Sequence, residues 1–117
     1  MTSDPHAVIG WITRERGGRQ SPPPGPVYST VARFEDDERW PHEAWSLVVE
    51  FKRTMQQGRY ILAKVRFLSP DGPAHLLREG GRFELLEGRT RVGKGVIVPD
   101  DLEVPAELNS FETALIG

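Results

Sequence analysis

The stretch that decides the fold is RFELLEGRTRVGKGVIV, residues 82–98. Two runs with many apolar residues flank the segment from Glu87 to Arg89, so the stretch predicts two strands joined by a tight turn. Gly93 and Gly95 are two positions apart and therefore lie on one face of the second strand. Glycines there permit a bulge, a sharp coil or the close approach of another backbone, which small barrels need.

The same stretch contains the pattern G-x-x-x-x-G-K, from Gly88 to Lys94, which begins a phosphate-binding loop. The complete motif has Ser or Thr after the lysine to bind magnesium, and a helix whose N-terminus helps to hold the phosphates. Gly95 stands at the hydroxyl position, and the following VIVP cannot supply the helix. The sequence therefore argues against a nucleotide-binding loop of this type.

Turn signals divide the rest of the chain into further strands with little helix. KRTMQQGRY, residues 52–60, predicts a turn because it is polar and carries Gly58 near its end. With the two strands of the opening stretch, the total of about six strands indicates an all-β antiparallel barrel or sandwich. The four additional strands are predicted over residues 7–13, 27–34, 45–51 and 60–68.

A length of 117 residues fits one domain with an apolar core of its own. We predict a single β-barrel domain over residues 1–98 and an acidic C-terminal tail over residues 99–117. Leu108, Phe111 and Leu115 have the spacing of a short amphipathic helix in this tail. The sequence leaves open whether the tail docks on the barrel.

Three tryptophans are many for a chain of this length. Trp11 and Trp45 fall in predicted strands, and we expect both to fill the core. Trp40 stands beside Pro41 in a charged segment, so we expect it at the surface, where an exposed tryptophan marks a contact site.

Charge is distributed unevenly along the chain, although the net charge is only -2. Residues 52–94 contain ten basic and four acidic side chains, whereas residues 99–117 contain five acidic and no basic ones. The basic block suits an anionic partner such as nucleic acid. The alternative is that these charges are ordinary solvated surface, balanced by the acidic tail.

Composition narrows the class of protein further. Cysteine is absent, which excludes disulfides, thiolate metal sites and a cysteine nucleophile and is compatible with the cytoplasmic location that we predict. No apolar run approaches the ~20 residues of a membrane helix, so we predict no membrane partner. His6, His42 and His75 lack ligand spacing. We therefore predict no metal site, no cofactor and no catalytic residue, so the protein is not expected to be an enzyme.

Three segments resemble the third domain of elongation factor Tu. Residues 82–98 resemble its closing strand pair, which has a pattern like R-F-x-x-R-E-G-G-R-T-V-G-x-G-V-V. RERGGRQSPPP, residues 14–24, is similar to its E-E-G-G-R-x-T-P-F-F loop, and AKVRFLSP, residues 63–70, to the strand before the closing pair. The resemblance implies a six-stranded antiparallel β-barrel. In the closing pair the matching residues are Arg82, Phe83, Glu87, Gly88, Val92, Gly93, Gly95 and Val96.

The chain departs from this family pattern at informative positions. Arg89 stands in place of the second glycine of R-E-G-G, and Leu86 in place of the arginine. A complete phosphate loop and the N-K-x-D and D-x-x-G patterns of the GTPase domain are absent from the sequence. We therefore expect a stand-alone, non-catalytic binding module.

The resemblance also suggests a binding surface. It implies that Glu87 and Gly88 belong to a surface that contacts the T-stem backbone of tRNA. Arg89, Arg91 and Lys94 add positive charge beside them that would suit phosphates. The alternative is a tight hairpin turn whose charges are merely exposed.

A second element of this surface is the loop that carries Arg19. Gly17, Gly18 and Arg19 suit an ordered loop whose arginine binds carbonyls or a carboxylate. The favoured interpretation is that this loop only closes the end of the barrel.

Two classes of partner compete. The favoured one is protein, either a GTPase-like partner or an effector that normally grips the elongation factor, because the chain is acidic overall and the E-G-G motif is altered. The other is tRNA or another structured RNA, bound through Arg19, Arg89, Arg91 and Lys94, because the middle block is basic.

Overall fold

The computed structural model describes residues 5–99, which form six strands and three short 3₁₀ turns. All six predicted strands are present. Arg14–Arg16, Gln56–Gly58 and Ala74–Leu76 form the 3₁₀ turns. The strands are β1 His6–Trp11, β2 Val27–Phe34, β3 Trp45–Met55, β4 Tyr60–Phe67, β5 Arg82–Glu87 and β6 Thr90–Val98.

The six strands close into a barrel in the order β1-β4-β3-β2-β5-β6, with β6 returning to β1. Every neighbouring pair is antiparallel. The barrel prediction is thus confirmed, and the open alternative of a sandwich is excluded. Because the barrel is closed, each described strand is paired with a neighbour on both sides along at least part of its length.

Apolar side chains at alternate positions of the strands fill the barrel interior. On β4, Ile61, Ala63 and Val65 are buried in the core, while Arg66 is exposed. Trp11 also lies in the core, as predicted, but Trp45 does not: it is the first residue of β3, lies at the barrel rim and is only half-buried. Trp40, expected at the surface, is half-buried as well.

Gly95 makes room for an aromatic ring inside the barrel. A Cβ atom at this position would lie 2.2 Å from Cζ of Phe83, a buried neighbour on β5. At Gly93 a Cβ atom would lie 3.1 Å from Cε3 of Trp11. The two glycines thus permit the close approach of a neighbour, as predicted. The neighbours are aromatic side chains and not another backbone.

The turn between β5 and β6 is as tight as the sequence predicts. Glu87 pairs with Thr90 across it, which leaves only two residues in the loop. Gly88, the first of the two, has a φ of 61°. Glycine with positive φ at this position is typical of a type II′ hairpin turn.

One predicted boundary is wrong. β3 continues to Met55, so the first four residues of the predicted turn over residues 52–60 are strand, and the turn itself begins at Gln56. A bulge between Phe51 and Arg53 admits one extra residue and lets the polar end of β3 stay paired with β4. The predicted acidic tail and its helix lie outside the described residues, apart from Pro99.

Candidate functional site

All six residues of the predicted binding surface lie at or near one end of the barrel, which we call the hairpin end. Here β1 stops at Trp11, and the β3–β4 and β5–β6 turns lie beside it. The structure divides the six residues among three places. Arg19 and Glu87 contact each other, Arg91 and Lys94 line a cavity, and Gly88 and Arg89 form the tip of the turn.

Glu87 is held by two donors from distant parts of the chain. The Arg19 guanidinium and the Tyr28 hydroxyl both donate to its Oε2 atom. Arg19 also donates from Nε to the carbonyl oxygen of Ser21 over 3.0 Å. Arg19 thus binds a carbonyl and a carboxylate that both belong to the chain itself, as expected of a loop that closes the end of the barrel.

These contacts change the acid–base properties of both partners. The hydrogen bond from Tyr28 lowers the pKa of Glu87, and the contact with Arg19 lowers it further. Burial and the hydrogen bond to Glu87 raise the pKa of Tyr28 to about 12. Glu87 is therefore ionised at neutral pH, and its charge is offset by Arg19.

The loop after β1 is held on the hairpin end by backbone hydrogen bonds. Trp11 N–H donates to the carbonyl of Arg59 over 3.1 Å, and Ile12 N–H to that of Val92 over 2.9 Å. Gly18 N–H donates to the carbonyl of Thr13, and a Cβ atom on Gly18 would lie 1.9 Å from the Ile12 oxygen. Only glycine fits this approach, so the predicted ordered loop is present.

The ordered loop forms one wall of a strongly basic cavity of about 170 Å³, which we call the basic cavity. Four cationic side chains line it, and its lining among residues 5–99 includes no carboxylate. Arg16 comes from the loop and Arg59 from the β3–β4 turn, while Arg91 and Lys94 come from β6. The remaining lining residues are Gly10, Trp11, Ile12, Thr13 and Tyr60.

A bulge on β6 brings its two cations to the same cavity. Residues three apart on a regular strand face opposite sides. Leu85 pairs with Gly93 and Leu86 with Arg91, so Val92 is an extra residue on β6. The bulge therefore directs Arg91 and Lys94 toward the same outer face. Gly10 of β1 lies opposite Lys94, and because glycine has no side chain it leaves room for the cavity.

Most of the charge in the basic cavity is not neutralised. Among residues 5–99, Arg16 and Lys94 have no ion-pair or hydrogen-bond partner for their side chains. Arg59 lies over the ring of Tyr60, 5.5 Å from its centroid. Of these four cations only Arg91 meets a carboxylate of the described residues, that of Glu84 at 3.1 Å, and Arg33 shares it.

A larger cavity of about 610 Å³ adjoins the basic cavity, and we call it the loop cavity. The two share Trp11, Ile12, Thr13 and Arg59 as lining residues. On its far side the loop cavity is lined by Arg14, Arg19 and the amide side chains of three glutamines, Gln20, Gln56 and Gln57. Glu15 is the one carboxylate among its described lining residues.

Sequence reasoning missed Arg16, Arg59 and Thr13 because they lie far along the chain from Arg91 and Lys94. The signal that would find them is the topology: β1 ends where antiparallel β4 begins, so the residues after Trp11 meet the residues before Tyr60. Arg89, which was predicted, is exposed at the turn tip and lines neither cavity.

No model of a known protein family matches the chain, and no curated protein matches it. Residues 5–99 contain no group of three or more His, Cys, Asp or Glu side chains that could hold a metal ion. In the same part of the chain no helix is long and apolar enough to cross a membrane.

Proposed function

We propose that this protein is a non-catalytic binding module whose basic cavity binds phosphates of a structured RNA. The observation that carries the proposal is that four cations, and no carboxylate of residues 5–99, line one small cavity. Cationic side chains that neutralise phosphates release condensed counterions, and this gain dominates the affinity of most nucleic-acid-binding proteins. Three of the four are arginines, whose planar fork suits phosphate oxygens.

The pairing of Glu87 supports RNA over protein as the partner. A free carboxylate beside the cavity would repel phosphates, but Arg19 and Tyr28 both hold Glu87. Lys94 and Arg16 have no partner among the described residues, so binding an anion breaks no existing ion pair of theirs. The resemblance to the third domain of elongation factor Tu points to the same class of ligand and to a translation-related role.

A protein partner is the second candidate function, and it rests on the departures from the family motif. Arg89 stands at the tip of the β5–β6 turn, exposed and without an ion-pair partner in the described part of the chain. A long cation at an exposed turn tip suits an acidic protein surface as well as a phosphate. For either partner we propose a cytoplasmic location, in keeping with the absence of cysteine.

The experiment is co-purification from a cell extract at low salt with the tagged full chain. Wild type is expected to retain RNA that leaves as salt rises, whereas the Lys94→Gln variant retains much less. The matched control is Arg66→Gln, which also removes one exposed charge but lies on β4 away from the cavity. This control is expected to retain RNA like wild type.

Nuclease treatment separates the two partner classes. Retention of a protein that is insensitive to nuclease and unaffected by Lys94→Gln would contradict RNA binding and support the protein partner. Hydrolysis of GTP by the pure chain would contradict both, because a non-catalytic module has no such activity.

A further inference from the structure

The hairpin end carries two adjoining cavities with different chemistry. The basic cavity is small and carries four cations, whereas the larger loop cavity combines three arginines and Glu15 with three glutamines and other neutral side chains. Arg59 borders both. A ligand that spans them must therefore be strongly anionic at one end and carry hydrogen-bonding groups at the other.

A strained turn borders the loop cavity. Gln56 and Gln57 are consecutive non-glycine residues with φ of 51° and 58°. Side chains rarely adopt this left-handed conformation, and glycine, asparagine or aspartate would occupy it at lower cost. Strain of this kind clusters at ligand-binding sites, where the residue is kept for its side chain. Here the strained turn places the Gln57 amide at the wall of the loop cavity.

We propose that the two cavities together bind a nucleoside 5′-phosphate. The phosphate lies among the four cations of the basic cavity, where the Thr13 hydroxyl supplies a further donor. The base lies in the loop cavity, whose volume of about 610 Å³ falls within the usual range for small-molecule sites. This site extends the proposed RNA binding to a single nucleotide. The nucleotide is either free or the terminal one of an RNA strand, because both present the same chemistry.

The lining residues match the chemistry of a nucleobase. The amides of Gln20 and Gln57 each offer two donors and an acceptor, which is what the edge of a base requires. The planar guanidinium of Arg59, at the boundary of the cavities, can stack on a base while its edge donates to the phosphate.

The first test is calorimetric titration of the full chain with inorganic phosphate, with adenosine and with the four nucleoside 5′-monophosphates. At least one nucleotide is expected to bind about tenfold or more tightly than inorganic phosphate, and adenosine is expected to bind weakly. Lys94→Gln is expected to weaken both phosphate and nucleotide by about tenfold. Nucleotides that bind no more tightly than phosphate would overturn the proposal.

The second test uses Gln57→Gly, which suits the left-handed backbone and is expected to raise the urea midpoint of unfolding. Binding of inorganic phosphate should be unchanged in this variant, while most of the additional affinity for the nucleotide is lost. A variant that keeps its full affinity for the nucleotide would contradict a role for Gln57 in binding the base.

A pair of RNA hairpins, one with a 5′-phosphate and one with a 5′-hydroxyl, distinguishes the sources of the ligand. Tighter binding of the phosphorylated hairpin assigns the site to an RNA end, and equal binding assigns it to a free nucleotide. Hairpins that bind while no nucleotide does would overturn this inference and leave the proposed function intact. Nucleotides that bind while neither hairpin does would contradict RNA binding alone.

Discussion

Replacement of Gly95 by alanine tests the packing that closes the barrel. The added Cβ atom would lie 2.2 Å from Cζ, 2.6 Å from Cε2 and 2.7 Å from Cε1 of Phe83. Carbon atoms in contact normally stay about 3.5–4.0 Å apart. The ring must therefore move, but it is 3% exposed and lies against Phe34 with ring centroids 5.0 Å apart.

The size of the effect follows from two opposing contributions. Forcing extra volume into a packed core costs about 1–3 kcal/mol. Replacing glycine restricts the unfolded chain, which offsets about 0.4–1 kcal/mol of that cost. Phe34 in turn packs against Phe67 at 5.7 Å, so the displaced ring has no empty space to enter. Because the overlap at 2.2 Å is severe, we take the upper part of the first range, which leaves a net loss of about 2 kcal/mol in the free energy of unfolding.

Urea unfolding measures this loss as a lower midpoint at an unchanged slope. Gly93→Ala is the graded control, because its Cβ atom would meet Trp11 at 3.1 Å and needs a much smaller adjustment. Adding Phe83→Leu to Gly95→Ala should recover part of the loss, with a coupling of about 0.5 kcal/mol or more. A Gly95→Ala variant as stable as wild type would refute this account of the packing.

Three further predictions concern the hairpin end. Glu87→Gln should lower stability at pH 7 by about 1 kcal/mol, a figure reduced for solvent screening because the side chain is 36% exposed. Because the folded-state pKa of Glu87 is lowered, the gap to wild type should be full at neutral pH and disappear as pH falls through that pKa; a gap independent of pH would contradict this. The pKa of Tyr28 is raised to about 12, so the phenolate absorbance at 295 nm that is present in wild type and missing from Tyr28→Phe should develop only above pH 11. The free energy of unfolding should fall as pH rises from 10 toward 12. Titration of Tyr28 near pH 10 would contradict the contact with Glu87. Gly18→Ala should weaken RNA binding with the strands intact by amide exchange, because its Cβ atom would lie 1.9 Å from the Ile12 oxygen and must displace the loop that carries Arg16; unchanged affinity would argue against a role for this loop.

Local periodicity accounts for the parts of the fold that could be predicted. Ile61, Ala63 and Val65 alternate in sequence and are buried together. Gly93 and Gly95 required a neighbour that approaches closely, and the sequence could not say that the neighbour would be an aromatic ring. Strand order depends on how the sheet closes, which no local pattern encodes. The bulge at Lys52 that extends β3 also depends on pairing with β4, so the sequence did not indicate it.

The candidate site was predicted only where its residues are close in the chain. Arg91 and Lys94 were found because they share one strand, although only the bulge at Val92 brings them to one face. Arg16 and Arg59 join them through the pairing of β1 with its neighbours, which is a property of the closed barrel. The contact of Arg19 with Glu87 spans 68 positions, so the sequence suggested a carboxylate without identifying it.

The salt dependence of binding to folded tRNA tests the central claim most directly. The slope of log Kd against log salt concentration reports how many phosphate contacts form, and each cation removed should lower it by about 1. We predict that Arg91→Gln with Lys94→Gln lowers the slope by about 2, whereas Lys64→Gln with Arg66→Gln, which removes two charges outside both cavities, leaves it unchanged. Equal slopes for wild type and the cavity variant would contradict the claim that this cavity binds RNA phosphates.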